Sequence, residues 1–301
     1  MKHDSQHRQG LFSIALAFWL WGVVVVYWKQ LAQYDSAELI LHRFIWSFFI
    51  LLIAIWLRGD LRSFWNTFRD WRLVRLHLIN GLLISINWFA YVYAVNHDRV
   101  LESSLAYFIV PILNTAMGLI FLKERLNRLQ WAAIILATLG VTNEIVQFGS
   151  VPWLALLMAF TFGFYGLRKT RSELGPVRAL AMETGLLLPL VLGALIFLYT
   201  TSRATVDLTQ TVPLLWMISA GFITVTPLLL FAYGAKRIQL TTIGVFQFLA
   251  PSITFFVGVF IYGEPFTPSK MITFSLIWVA LAIYLVHLFK KQRVPKTPLP
   301  R

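Results

Sequence analysis

The sequence predicts an all-α polytopic membrane protein in which ten transmembrane helices form a 5+5 inverted repeat, with both termini cytoplasmic. Three observations support this fold class: the composition, the spacing of apolar runs, and the distribution of Lys and Arg. Of the 301 residues, 58% are hydrophobic and 13% are charged, and the mean hydropathy is +0.70. Soluble domains are about half apolar and about a quarter charged, so this composition excludes a water-soluble fold. The chain contains no cysteine, which excludes disulfides and thiolate metal sites.

Ten apolar runs separated by short polar segments predict the helices in chain order. A bilayer core of about 30 Å needs about 20 apolar residues per crossing, and backbone groups in hydrocarbon need partners within the protein. The predicted spans are residues 11–29, 38–57, 74–95, 101–122, 128–146, 151–168, 178–199, 212–234, 240–262 and 268–289. The first run follows a basic start and lacks a small-residue cleavage site, so we expect a retained helix and not a removable signal peptide.

The basic residues test this count, because cytoplasmic loops carry an excess of Lys and Arg. The chain has 26 Lys and Arg against 13 Asp and Glu, a net charge of +13. With the N-terminus inside, 21 of the 26 fall in inside segments, four fall in outside segments, and Arg43 is the one basic residue within a span. This distribution explains most of the basic excess without nucleic acid as a partner. Residues 291–301 are predicted to be a disordered cytoplasmic tail.

The longest predicted inside loop, residues 58–75, has two interpretations. Its apolar side chains recur along one helical face, a pattern that fits a short helix lying on anionic lipid. These side chains are Leu61, Phe64, Trp65, Phe68 and Trp71. An ordinary basic loop explains the segment equally well.

An offset of 140 residues reveals an internal repeat. The identical pairs are Tyr93 and Tyr233, Phe108 and Phe248, Pro111 and Pro251, Gly118 and Gly258, and Glu124 and Glu264. Proline, glycine and a helix-end glutamate are rare enough within spans to make coincidence improbable. We therefore predict repeats at residues 1–147 and 148–290. Five helices is an odd number, so the second copy enters the membrane inverted, a geometry typical of secondary transporters with one central site.

Polar and small residues predict a pathway along the fourth and ninth spans. Each span places such residues on a single face, at spacings of three and four, and such a face is not expected to contact lipid. The two sets are Ser104, Tyr107, Pro111, Asn114 and Gly118, and Gly244, Gln247, Pro251, Thr254 and Gly258. We expect Tyr107 and Gln247 to contact substrate in mid-membrane; the alternative is tight helix packing. On the third span, Asn80, Asn87 and Tyr91 share one face with Trp88 beside it, and ligand contact and inter-helix bonding are equally open for them.

Arg43 and Glu183 are ionisable residues within spans, related by the same offset. A charged group at mid-bilayer costs at least about 2.5–3.5 kcal/mol and so needs a partner or a wet cavity. The inversion places them about 15 Å apart along the membrane normal, too far for an ion pair. We expect two entrances to one cavity, with Glu183 responsive to protons. The alternative for Arg43 is snorkelling towards the headgroups near Glu38.

Glu124 and Glu264 end the fourth and ninth spans. Asn127 and Thr267 follow as expected N-caps of the next helices. We predict that the two glutamates fix these inter-helix corners. No HExxH, GxSxG, GxxxxGK[ST] or GxGxxG pattern occurs, so we expect no enzyme activity, no metal and no cofactor.

An ordered set of motifs along residues 10–290 resembles the drug/metabolite transporter superfamily, EamA family, and within it the RarD type. The matching segments are residues 42–49, 87–88, 94–96, 101–105, 107–108, 148–150, 164–167, 187–189, 246–247 and 262–264, with Pro111, Glu183 and Pro251. The resemblance implies a bacterial inner-membrane transporter, with export the expected direction, whose two halves form a basket around a central cavity.

These observations favour a proton-linked or facilitative carrier of a small organic metabolite or drug-like solute. The expected partners are the substrate, the lipid bilayer and protons, and a homo-oligomer is an open alternative. A non-transporting ligand sensor or scaffold is the second hypothesis, and an intramembrane enzyme is the third.

Overall fold

The computed structural model describes residues 2–96, 99–263 and 267–293, apart from the side chains of residues 2–4, 92, 95–96, 100–103 and 287–293. Helices joined by short turns make up these ranges, and no strand occurs within them. Glu264 lies outside the described residues. So does the side chain of Glu102, which near the outer start of the fourth predicted span is expected to be either a mouth residue or an interfacial acid.

Twelve helices follow one another in the described part of the chain. They are α1 (Lys2–Gln30), α2 (Ser36–Leu57), α3 (Leu61–Thr67), α4 (Trp71–Asn96), α5 (Val100–Phe121), α6 (Arg128–Phe148), α7 (Trp153–Thr170), α8 (Pro176–Thr200), α9 (Thr211–Ala235), α10 (Leu240–Gln247), α11 (Leu249–Tyr262) and α12 (Pro268–Arg293).

Nine segments within the described ranges are long and apolar enough to cross a membrane, with α10 and α11 together counted as one. The chain is therefore an all-helical, multi-pass membrane protein. α7 is not among the nine; it is 18 residues long and carries Arg168 and Lys169 in its last turn. The arrangement of ten crossings stays a prediction.

Local sequence signals explain where several helices begin. Asn127 accepts from the backbone N–H of Gln130 at 2.9 Å, and the side chain of Gln130 accepts from the N–H of Asn127 at 3.1 Å. This capping box satisfies two backbone donors at the start of α6. α12 begins at Pro268, whose missing N–H costs nothing in the first turn. The predicted caps at these two corners thus mark the observed helix starts.

The segment between α2 and α4 contains the helix α3. Its Phe64 is fully buried and packs at 5.3 Å against the rings of both Trp65 and Phe68. Trp65 itself is half exposed. The predicted helix is therefore present, and part of its aromatic face packs onto the bundle.

Pro251 divides the predicted ninth span into α10 and α11, with Phe248 between them. Proline has no N–H, so the carbonyl of Gln247 four residues earlier loses its helical partner. Pro111 lies within α5, which continues without a break. α11 ends at Gly263, whose left-handed backbone (φ 67°) lets its N–H reach the carbonyl of Gly258.

Turns at one end of the bundle contact one another and carry many Lys and Arg. Arg171 donates to the carbonyl of Phe121 at 3.0 Å, and Arg178 donates to Oγ of Ser63 at 2.9 Å. We call this end, made of residues 58–70, 122–127, 171–175 and 236–239, the basic face. The other end, made of residues 31–35, 149–152 and 201–210, is the opposite face.

Helix packing has the same pattern in both parts of the chain. α1 packs against α9 and α11, and α7 packs against α4 and α5. α2 packs against α9, and α8 packs against α4. α6 packs against α12, α5 against α10, and α2 against α8. The 140-residue offset pairs α1 with α7, α2 with α8, α4 with α9, α5 with α10 and α11, and α6 with α12. When each helix is replaced by its counterpart, the same set of contacts results.

Gly221→Ala is expected to destabilise the protein, because α2 and α9 leave no room for the added carbon. An ideal Cβ there would lie 2.7 Å from Cβ of Trp46 and 2.8 Å from Cδ1 of Ile50. Overpacking of this kind typically costs about 1–3 kcal/mol, and thermal unfolding in detergent should show a lower Tm. Gly193→Ala is the control, because no heavy atom of the described residues lies within 4 Å of its added Cβ. A Tm for G221A at or above that of G193A would contradict the close crossing.

Candidate functional site

The guanidinium of Arg43 lies close to two indole rings. Its Cζ is 4.7 Å from the ring centroid of Trp28 on α1 and 4.4 Å from that of Trp88 on α4, distances typical of cation–π contacts. Nε donates to Oγ1 of Thr224 on α9 at 3.0 Å. These contacts from three neighbouring helices orient the side chain, about 10 Å along α2 from its start at Ser36.

The exposed surfaces of Tyr91 and Tyr107 indicate an internal space beside this guanidinium, which we call the Arg43 cavity. Its described walls include Trp28, Arg43, Trp88, Tyr91 and Tyr107. Tyr91 and Tyr107 lie near Arg43, yet they are 40% and 50% exposed. Tyr107 shares its helix face with Asn114 and Gly118, which are buried in the bundle. The exposed surface of Tyr107 therefore faces the interior of the bundle.

Asn87 links α4 to α7. Its Nδ2 donates to the carbonyl of Met158 at 2.7 Å and to Oγ1 of Thr161 at 3.3 Å. The side chain thus makes the inter-helix bond that was one of its two predicted roles, and ligand contact by Asn87 stays a prediction.

The polar stripe of α5 packs against α10 on the side of Tyr107 that is nearer the basic face. Nδ2 of Asn114 donates to Oε1 of Gln247 at 2.6 Å, and both side chains are buried. An ideal Cβ at Gly244 would lie 2.6 Å from the carbonyl oxygen of Pro111, so the two helices cross in close contact. One part of the stripe therefore packs, and the part that holds Tyr107 borders the cavity.

Glu124 reaches across the bundle to the start of α10. Its Oε1 accepts from the N–H of Leu240 at 2.7 Å, and its Oε2 accepts from the N–H of Thr241 at 2.9 Å. The carboxylate thus caps a helix N-terminus, where the helix dipole favours negative charge. An ideal Cβ at Gly118 would lie 2.6 Å from Oε2, so this glycine provides the room for Glu124.

Glu183 is the centre of a buried cluster near the basic face. Nζ of Lys169 lies 2.7 Å from both carboxylate oxygens. His77 Nδ1 and Asn80 Nδ2 lie 3.0 and 3.1 Å from Oε1, and the hydroxyl of Tyr165 donates to Oε2 at 3.3 Å. Each of these side chains is at most 1% exposed. The cluster ties together α4, α7 and α8.

The buried Lys169 corrects one expectation from the sequence. The sequence places Lys169 in an inside loop one residue beyond the sixth predicted span, whereas in the structure it lies in the last turn of α7 and is 1% exposed. Its neighbour Arg168 donates to Oδ1 of Asn80 at 2.6 Å and to the carbonyl of Leu76 at 3.0 Å. A charge at the end of an apolar run resembles a loop residue, and the sequence gives no signal of its inward orientation.

Arg43 and Glu183 each have their own partners. Glu183 is buried beside Lys169, so it does not line an open entrance in this conformation. Glu38 accepts from the N–H groups of Thr205 and Val206 at 2.6 and 3.2 Å. It is thus committed to residues 201–210, and Arg43 lies with the aromatic rings instead.

An ordered turn covers this end of α2. Asp207 accepts from the hydroxyl and the N–H of Thr209 at 2.6 and 3.0 Å. The hydrogen bond from the Thr209 hydroxyl contributes most to lowering the pKa of the Asp207 carboxyl below its ordinary value, and the bond from the Thr209 N–H adds to it. The hydroxyl of Tyr199 donates to the carbonyl of Val206 at 2.7 Å, so the turn is anchored to α8.

Comparison with known proteins identifies similar chains along the full length. The model of the EamA-like transporter family matches residues 8–142 and again residues 150–286. "Uncharacterized transporter YojE" of Bacillus subtilis is 41% identical over 301 residues, covering 99% of this chain and 100% of that protein. "Protein RarD" of Escherichia coli is 36% identical over 291 residues, covering 96% and 97%. A solved crystal structure aligns with a TM-score of 0.73 at 19% identity, covering 92% of this chain and 98% of that one, which shows likeness of fold.

Lys169→Met is expected to destabilise the protein strongly, because it leaves Glu183 buried without its cation. Breaking a buried pair in this way costs about 3–5 kcal/mol, and the double variant K169M/E183Q should recover part of that loss. Denaturant unfolding of the two single variants and the double variant measures the coupling free energy.

A second double-mutant cycle, on Arg72 and Glu173, is the control. These residues pair at 3.0 Å, and their side chains are 74% and 57% exposed. Exposed pairs contribute about 0–1 kcal/mol, so R72M and E173Q should be nearly additive. Equal coupling energies for the two cycles would contradict a special role for the buried pair.

Proposed function

The chain belongs to the EamA-like transporter family, and from that membership we propose that it carries a small organic solute across a bacterial inner membrane by alternating access. It acts as a secondary active or facilitative carrier, with export as the direction. The observation that supports this proposal is Arg43, a cation held by three helices within the bundle, beside which Tyr91 and Tyr107 leave 40% and 50% of their surface exposed. Arg43, Asn87, Trp88, Tyr91, Tyr107, Asn114, Glu183 and Gln247 are the proposed substrate-pathway residues.

The architecture in this proposal is ten crossings in two inverted halves, residues 1–147 and 148–290. α7 supplies the tenth crossing. The helix contacts support the two halves, because they are unchanged by exchange of the 140-residue counterparts. The positive-inside rule assigns the basic face, and with it both termini, to the cytoplasm.

Closure towards the basic face is the second part of the proposal. Three sets of polar bonds there join the first half to the second: Asn114 with Gln247, Glu124 with the start of α10, and His77 with Glu183. Opening the cavity to the cytoplasm requires these bonds to separate while the opposite face closes. Pro111, Pro251, Gly118, Gly258, Glu124 and Glu264 are the proposed structural and gating residues.

Counterflow in proteoliposomes tests the transport function. Metabolite profiling of cells with and without the protein selects candidate solutes, and purified protein should then exchange at least one of them across the vesicle membrane. Protein-free liposomes give the background rate. Binding of a solute without counterflow would overturn the proposal and favour a ligand sensor.

Proton response is proposed for the Glu183 cluster, in which His77 on α4 and Tyr165, Arg168 and Lys169 on α7 are the neighbouring titratable groups. The variant K169M/E183Q removes both charges together, and so avoids an unpaired buried ion. We expect its counterflow rate to lose most of the wild-type pH dependence. An unchanged pH profile in a variant that still transports would exclude this role.

A further inference from the structure

We propose that the Arg43 cavity binds an organic monoanion, a carboxylate with an apolar or aromatic body, whose charge is matched by Arg43. This inference rests on the proposed transport function and names its substrate class. It follows from the charge, the geometry and the walls of the site.

The charge of Arg43 has no anionic partner among the side chains that the structure describes. The nearest carboxylate along α2, Glu38, accepts from Thr205 and Val206, and Glu183 is paired with Lys169. A cation at membrane depth costs at least about 2.5–3.5 kcal/mol unless it is paired or wet. An anion arriving in the cavity would therefore meet a positive charge that no neighbouring carboxylate already neutralises.

The geometry leaves one side of the guanidinium available. Nε donates to Thr224, and Cζ lies 4.7 and 4.4 Å from the ring centroids of Trp28 and Trp88. The two Nη groups make no hydrogen bond within the described part of the chain. Their N–H groups form a planar fork that fits two carboxylate oxygens, and this pairing is about twice as strong as a neutral hydrogen bond.

The walls select the rest of the ligand. Trp28, Trp88, Tyr91 and Tyr107 present aromatic surface, and the two tyrosines add hydroxyl groups. Aromatic walls favour an apolar body by burial and ring contacts. The described wall holds one cation, which suits a carboxylate better than a phosphate monoester, whose charge is about −1.5 to −2 at neutral pH.

Matched acids and amides test the proposal. Isothermal titration calorimetry on the protein in nanodiscs compares phenylacetate with phenylacetamide, and indole-3-acetate with indole-3-acetamide. We expect at least one acid to bind ten-fold or more tightly than its amide. R43Q should reduce that preference to less than about two-fold, and R43K should keep part of it, because charge remains while the fork is lost.

Arg203→Gln is the matched control, since Arg203 lies in the turn of residues 201–210 over the ring of Phe197 and outside the cavity. R203Q should keep the wild-type preference. Equal binding of acids and amides, an acid preference that survives in R43Q, or no acid binding at millimolar concentration would each overturn the inference.

Counterflow separates this inference from the proposed function. If the protein exchanges neutral solutes at the same rate in wild type and R43Q, transport stands and the anion site is wrong. If acids bind through Arg43 but are not exchanged, the anion site stands and transport is wrong.

Discussion

The packing of α4, α7 and α8 depends on one buried carboxylate, whose charge and hydrogen-bond acceptors need partners within the protein. Glu183 lies where water cannot reach it, and an unpaired charge there would cost several kcal/mol. Lys169 neutralises it, while His77, Asn80 and Tyr165 supply hydrogen bonds from two further helices. Because each donor has to approach within about 3 Å, the carboxylate fixes how α4, α7 and α8 are rotated and how far apart they lie.

Close helix crossings bring the other polar bonds into reach. Gly118 and Gly244 have no Cβ, so α5 and α10 approach until Glu124 caps α10 and Asn114 meets Gln247. Pro251 removes the backbone bond that would have continued α10 into α11. The helix is therefore interrupted beside the bond between Asn114 and Gln247. Interrupted helices at a repeat interface are typical of transporter binding sites.

Two charged residues related by the repeat have opposite surroundings. Glu183 is surrounded by donors and a cation, whereas Arg43 is held by aromatic rings and one hydroxyl. Satisfied polar groups hold helices together, and a charge that faces a cavity attracts a ligand. We infer from this contrast that Glu183 holds helices together and that Arg43 is the charge available to a ligand.

Sequence alone determined the all-helical membrane class, most helix ends to within a few residues and the N-cap at Asn127, because hydropathy and caps are local properties. α1 begins nine residues before its predicted start at residue 11, and the helix between α2 and α4 is one of two interpretations of that segment. Motif order pointed to the family, and the 140-residue offset singled out Arg43 and Glu183 together. Only the tertiary structure decided that Lys169 turns inward, that Glu124 caps a helix from the other half, and that Asn114 bonds Gln247. Those pairings depend on the rotation and separation of helices distant in sequence, which local patterns do not encode.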